Sequence, residues 1–187
     1  GNASYRQFRD AGFPSSKLLG LEALRYLYLD KLKARPGAKD LACCRLLVLG
    51  DYIPSVTEDQ LDLLEKAAVN FPKNVEILIK SHPAYPIDTK NRPSLNARIV
   101  ESSLSDLVNS YDIAYTSNIT SASLDAFYSG KQVIILRDPN RFNMSPLRGN
   151  PNVKFIASPE NLAVEVRLSC MVKVDRTTVV DDQFFYL

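Results

Sequence analysis

Cysteine is scarce in this chain of 187 residues: two stand side by side, Cys43 and Cys44, and the third is Cys170. That spacing matches neither a disulfide framework nor a set of metal ligands, so all three are expected as reduced core residues of a cytoplasmic protein. No apolar run approaches the roughly 18 to 20 residues needed to cross a bilayer, and the amino end lacks a signal-peptide pattern. Neither charge sign dominates. With 23 basic and 21 acidic side chains the net charge is +2, and the basic residues are scattered rather than clustered. A nucleic-acid partner is therefore not expected. No GxGxxG or Walker pattern follows Gly50-Asp51, which argues against a dinucleotide or P-loop site. Histidine occurs once, as His82.

What is present describes an ordinary globular chain, 45% hydrophobic and 24% charged, long enough for one well-buried domain and too short for two. It opens on Gly1 instead of methionine, which reads as a cloning remnant on a piece of a longer protein. Residues Asn2 to Pro14 show no clear period. From Ser16 to Lys33 apolar residues recur at helical spacing, and Arg35-Pro36-Gly37 ends the run. Leu41 to Gly50, LACCRLLVLG, reads as a strand covered on both faces. A helix is expected from Ser55 to about Asn70, with Thr57 as its cap. The stretch Val75 to Pro83, VEILIKSHP, is an apolar strand that ends in Lys80, Ser81 and His82. Further strands are expected at Ala97 to Glu101, Asp112 to Ser117, Gln132 to Leu136 and Val153 to Ala157. Helices are expected after Ser103 or Ser105, from Asn118 to a stop at Gly130, and after Ser158-Pro159. Strands alternate with helices, so the expected fold class is α/β: a Rossmann-like, doubly wound, parallel six-stranded sheet of order 3-2-1-4-5-6, with helices on both faces. Residues 1–40 form a helix and linker segment in this reading, and residues 41–187 form the domain. The tail from Met171 to Leu187 fits no element.

Ligands of open α/β sheets bind outside the carboxyl ends of the strands, and two tips there have suitable chemistry. Lys80 and His82 share a face of an extended strand and offer two cationic donors to one oxyanion, while Ser81 points oppositely. Thr116, Ser117 and Asn118, then Thr120, Ser121 and Ser123, set hydroxyls beside a helix start that favours anions. The loop Arg137 to Gly149 is long and polar, and Arg141 and Arg148 in it suit phosphate or carboxylate. Gly50-Asp51 is a further candidate, because glycine permits close backbone approach. Each group also has an ordinary structural reading: Lys80 as a solvated strand-end lysine, His82 as a ring satisfying a loop carbonyl, the hydroxyls as helix caps, the arginines as partners of Asp138.

Lys-Ser-His-Pro after one strand, Thr-Ser-Asn-Ile-Thr-Ser-Ala-Ser-Leu-Asp-Ala after another and Gly-Lys-Gln-Val-Ile downstream together resemble the carboxyl-terminal, nucleotide-sugar-binding half of GT-B glycosyltransferases. The resemblance covers roughly Leu46 to Ala163 and is greatest to enzymes of bacterial surface polysaccharide and O-antigen assembly, including sialyl-, polysialyl- and Kdo-transferases. It implies that Lys80 and His82 act on the departing phosphate. It maps the family's contacts to the nucleotide phosphate onto His82, Ser117, Thr120 and Ser121. On the reading of the residues themselves, Gly50, Asp51, Ser81, Thr116, Asn118, Arg141, Asn143, Ser145 and Arg148 are further candidates for substrate contact, and no aspartate pair of metal-binding type stands out, so neither a metal ligand nor a cofactor is expected. The implied donor is a nucleotide-sugar, with a CMP-sugar favoured and UDP or GDP as alternatives; for an acidic sugar, Arg148 would receive the carboxylate. The implied partner is a missing amino-terminal GT-B half carrying the general base, with peripheral membrane association of the full-length protein. Two rival readings stand beside this one: a nucleotide-binding or interaction module without chemistry, and a nucleotide-sugar epimerase of the same build.

Overall fold

Residues Cys44–Leu49, CRLLVL, form strand β1, and every side chain in it except Arg45 is buried. Such a strand needs cover on both faces and partners on both edges, and it has them. In the computed structural model, which describes residues 2–21, 28 and 43–171, β1 pairs in parallel with β2 (Val75–Lys80) on one side and with β4 (Ile113–Ser117) on the other. β3 (Ala97–Ile99), β5 (Gln132–Leu136) and β6 (Lys154–Ile156) complete a parallel sheet of order β3-β2-β1-β4-β5-β6, the order expected.

Alternation along the strands separates two cores. Leu47, Leu49, Leu78, Ala114 and Ile135 face α3 (Leu104–Leu107) and α4 (Ala122–Tyr128), where Leu107, Leu124 and Phe127 close on them. Leu46, Val48, Ile77, Ile79, Ile113, Tyr115 and Ile134 face α2 (Pro54–Ala68) and α5 (Pro159–Met171), against Leu61, Leu64, Leu162 and Val166. Several caps are as the residues predict. Ser103 accepts the Asp106 N–H, Ser158 accepts the Asn161 N–H ahead of Pro159, and Gly130 ends α4 at φ +72°, a conformation that L side chains avoid.

Other expectations are corrected. α1 spans Asn2–Asp10, where no period was legible. Ser15–Lys17 is a 3₁₀ turn and Leu18–Leu21 is not helical, so the helix expected from Ser16 does not start there; its remainder lies outside the described residues apart from Tyr28, as do Leu41, Ala42 and the tail beyond Met171. Thr57 is not a cap. α2 begins at Pro54, which occupies its first turn because its missing N–H is no loss there, and Thr57 lies a turn further in. α4 begins at Ala122 instead of Asn118, so Asn118 to Ser121 form a loop.

The expected set of three reduced cysteines is also overturned. Cys44 and Cys170 form a disulfide, with Cα atoms 5.7 Å apart across 126 residues of sequence, and Cys43 is the free thiol. Spacing along the chain carried no sign of the pair; the packing of the last turn of α5 over the start of β1 creates it. The bond removes the argument for a reducing compartment. No helix among the described residues is long and apolar enough to cross a membrane.

At the amino edge of the sheet, Glu76 accepts from Arg45 at 3.0 Å and from Arg98 at 3.1 Å. The hydrogen bond from Arg45 chiefly holds its carboxyl below the ordinary carboxylate range. A carboxyl lowered on folding stabilises the fold above its unfolded pKa of about 4.3, and that contribution is lost as pH falls through the lower folded value. All three side chains are at least a third exposed, so the pairs together are worth no more than about 1 kcal/mol. Urea denaturation of Glu76→Gln should show a loss of that size near about pH 7 that shrinks toward zero near about pH 2. An equal loss at both pH values would mean that charge is not the cause.

Candidate functional site

The register of β1 locates the two tips. Leu49 pairs with Lys80 on one side and with Thr116 on the other, so Lys80 and Thr116 stand two strand spacings apart, about 10 Å, on the same face of the sheet. The chain leaves β1 between them through Gly50 and Asp51. Gly50 donates its N–H to the Lys80 carbonyl at 3.0 Å. A Cβ there would lie 2.9 Å from Ile87 Cδ1 and 3.5 Å from the His82 backbone nitrogen, so the glycine admits the His82 turn against β1. Asp51 turns the other way, to Ser117. The structure therefore brings the Lys80–His82 tip and the Thr116–Ser121 tip to one edge, on either side of Gly50-Asp51.

Lys80 is half-buried and has no ion-pair partner among the described residues. His82 is half-buried as well, with the Tyr52 ring 6.0 Å away between centroids. Its Nδ1 accepts the Ala84 N–H at 3.1 Å, which puts the proton of the neutral ring on Nε2 and makes that nitrogen a donor. Ser81 accepts the Ile87 N–H at 3.0 Å and so shapes the turn.

Most of the hydroxyl tip is already tied inside the fold. Asp51 is wholly buried; Oδ1 accepts the Ile53 N–H at 3.0 Å and Oδ2 accepts the Ser117 hydroxyl at 2.5 Å. The Ser117 oxygen in turn accepts the Ile119 and Thr120 N–H groups at 3.2 and 3.3 Å. Thr116 donates to its neighbour's carbonyl, and Thr120 Oγ1 accepts the Ala122 N–H. Asn118, also buried, donates to the Phe142 carbonyl at 3.2 Å and so ties this loop to the one after β5. The seven-residue α4 thus has the N–H groups around its start largely capped by its own approach. The polarity of Arg137 to Gly149 has a similar origin: Asp138, Asn143 and Ser145 each accept the N–H two residues on, at 2.8 to 3.1 Å. Arg141 bonds Asp138 at 2.9 Å and approaches Asp59, while Arg148 donates to Gln7 in α1 at 3.0 Å.

Sequence reasoning placed helix α2 but missed that its inner face organises this edge. Thr57 in α2 accepts the Asp51 N–H at 2.8 Å and donates to the Asp51 carbonyl at 3.0 Å. Gln60, buried, donates through one amide nitrogen to the Leu49 carbonyl at the end of β1 at 3.3 Å and to the Tyr115 carbonyl within β4 at 3.1 Å. Polar residues at Thr57 and Gln60 on the inner face of an apolar helix were the available signal.

The fold matches solved structures of sugar transferases. The C-terminal domain of a glycosyl transferase group 1 family protein, LpcC, from Francisella tularensis superposes with a TM-score of 0.56 at 11% identity, over 88% of this chain and 95% of that one. The glycotransferase of kitacinnamycin superposes with a TM-score of 0.53 at 13% identity, over 89% of this chain and 43% of that one. The chain has the fold of a GT-B half. No family model matches it, and no curated protein matches it in sequence. This chain spans less than half of the kitacinnamycin glycotransferase and almost all of the LpcC domain.

Ser117→Ala should destabilise the fold by about 1–3 kcal/mol, because it leaves the buried Asp51 oxygen without its O–H donor and two N–H groups without an acceptor. Urea denaturation measures it. A loss under about 0.5 kcal/mol, the size of an ordinary surface change, would show that the Asp51–Ser117 tie contributes little to the fold.

Proposed function

We propose that this chain is the donor-binding half of a GT-B sugar transferase of surface-carbohydrate assembly, and that the edge between β2 and β4 receives the phosphate of a nucleotide-sugar. The observation that carries the reading is the register: Lys80 and Thr116 flank Leu49, so the cationic tip and the hydroxyl tip straddle β1 where the strand order reverses. Ligands of open α/β sheets bind at that switch point. Transfer of an activated sugar leaves negative charge on the departing phosphate. Donors fixed at that point stabilise the transition state more than the ground state. Lys80 supplies a charge without an ion-pair partner among the described residues, and His82 supplies an Nε2–H donor. Thr120 and Ser121, both half-buried on the loop before α4, stand on the other side.

The narrower likeness to sialyl-, polysialyl- and Kdo-transferases rests on the residues Lys80 to Pro83 and Thr116 to Ser123, and on it we favour a CMP-sugar over UDP- and GDP-sugars. The general base and acceptor site belong to the other half of the molecule in this reading, with residues 1–40 as the connecting segment and residues 41–187 as the donor domain. In this reading Arg148 reaches a donor carboxylate only by leaving Gln7.

Titration calorimetry with CMP, UDP and GDP tests the proposal. CMP should bind, and His82→Ala should raise its Kd about tenfold while leaving the melting temperature nearly unchanged. Failure of all three nucleotides to bind would remove the donor-binding reading, and equal affinity in the variant would remove His82 from the site.

A further inference from the structure

The turn that carries His82 does not stand alone. Between β2 and β3 the chain makes a sixteen-residue excursion, Ser81 to Asn96, and three of its side chains, Tyr85, Arg92 and Ser94, return to α2. Tyr85 donates its hydroxyl to Glu58 Oε1 at 2.9 Å, and Arg92 donates to Glu58 Oε2 at 2.8 Å. The Arg92 guanidinium, 14% exposed, also meets Asp62 at 2.5 Å and Glu65 at 3.2 Å, and Ser94 bonds Glu65. These carboxylates recur at i, i+4 and i+7, which places them on one stripe of α2. They differ in what they hold. Asp62 meets Arg92, and Glu65 meets Arg92 and Ser94. Glu58 alone among the three also holds Tyr85, which is bridged to His82 and donates its N–H to the His82 carbonyl at 2.9 Å.

We propose that Glu58 is a positioning residue for His82: one carboxylate oxygen holds Tyr85 and the other Arg92, and together they fix the turn from which the imidazole meets the donor phosphate. The proposal rests on the nucleotide-sugar reading above. Glu58 follows Thr57 directly, and Thr57 grips Asp51, the partner of Ser117. Adjacent residues of one helix therefore brace the two tips, and the rigidity of a helical turn sets the distance between them. A site held on a helix is placed more closely than one left to loops.

His82 is the single histidine of the chain, so its ring nitrogens give one unambiguous pair of resonances. In Glu58→Ala the ¹⁵N shifts of that ring should move, and the Kd for CMP should rise about tenfold. Tyr85→Phe should act in the same direction by about threefold, since it removes one of the two holds. Asp62→Asn should leave the ring signals unchanged, because Arg92 keeps Glu58 and Glu65. In a His82→Ala background, Glu58→Ala should change CMP affinity by less than about twofold, the non-additivity expected of a residue that acts through another. A role in stability alone would lower the melting temperature and leave the ring signals in place. Unmoved ring signals in a folded Glu58→Ala protein overturn the proposal, and Tyr85→Phe decides the matter in the same way if that variant does not fold. If the wild-type protein binds none of the nucleotides, the donor reading fails, while the ring signals still decide whether Glu58 positions His82.

Discussion

Parallel hydrogen bonding of β1 to β2 and to β4 is the constraint on which the carboxyl edge depends. Because β1 was laid down first and its neighbours on either side come from different halves of the chain, the order of connections reverses at this strand. In open α/β sheets such a reversal is the point at which ligands bind. This edge is held by buried polar contacts as well as by apolar packing. Gln60 ties the Leu49 carbonyl of β1 to the Tyr115 carbonyl of β4, and the side chain of Asp51 ties the exit from β1 to Ser117 at the end of β4. A buried carboxyl group is tolerated where its oxygens are hydrogen-bonded, and Asp51, which has no ion-pair partner among the described residues, has a donor at each oxygen.

Polar residues at this edge do two kinds of work. Asp51, Thr116, Ser117, Asn143 and Ser145 accept or donate within the fold and give the loops their shape. Lys80 and the Nε2 side of His82 stand apart from those local ties. Such a division suits a site that binds an anion, since donors of fixed position need a scaffold that does not reorganise when charge arrives. Helix α2 supplies much of that scaffold. Its inner face contributes Leu61 and Leu64 to the core, and its first two turns contribute Thr57 and Glu58 to the loops above and Gln60 to the backbone of β1 and β4.

Much of the architecture was legible because it follows from periodicity. CRLLVL and VEILIK are nearly continuous apolar runs, as strands covered on both faces must be, and their alternation with helical stretches leaves few topologies. Caps and stops with a local cause, such as Ser103, Ser158-Pro159 and Gly130, were legible for the same reason. Thr57 was misread because a threonine near a helix start has the same local pattern whether it caps its own helix or reaches across to another element. The loop after β5 shows the same ambiguity, as Asn and Ser suit tight turns and ligand contacts equally.

The sequence by itself determined the order of strands and helices, the two-sided burial of the sheet and the edge where its polar tips emerge, since each depends on short-range pattern and on chain handedness. Tertiary structure alone decided which groups meet. Cys44 and Cys170 are 126 residues apart, Asp51 and Ser117 are 66 apart, and Glu58 and Tyr85 are 27 apart. A hydrogen bond or a disulfide is a short-range contact between atoms, and no spacing along the chain records such a contact when intervening strands and helices carry it.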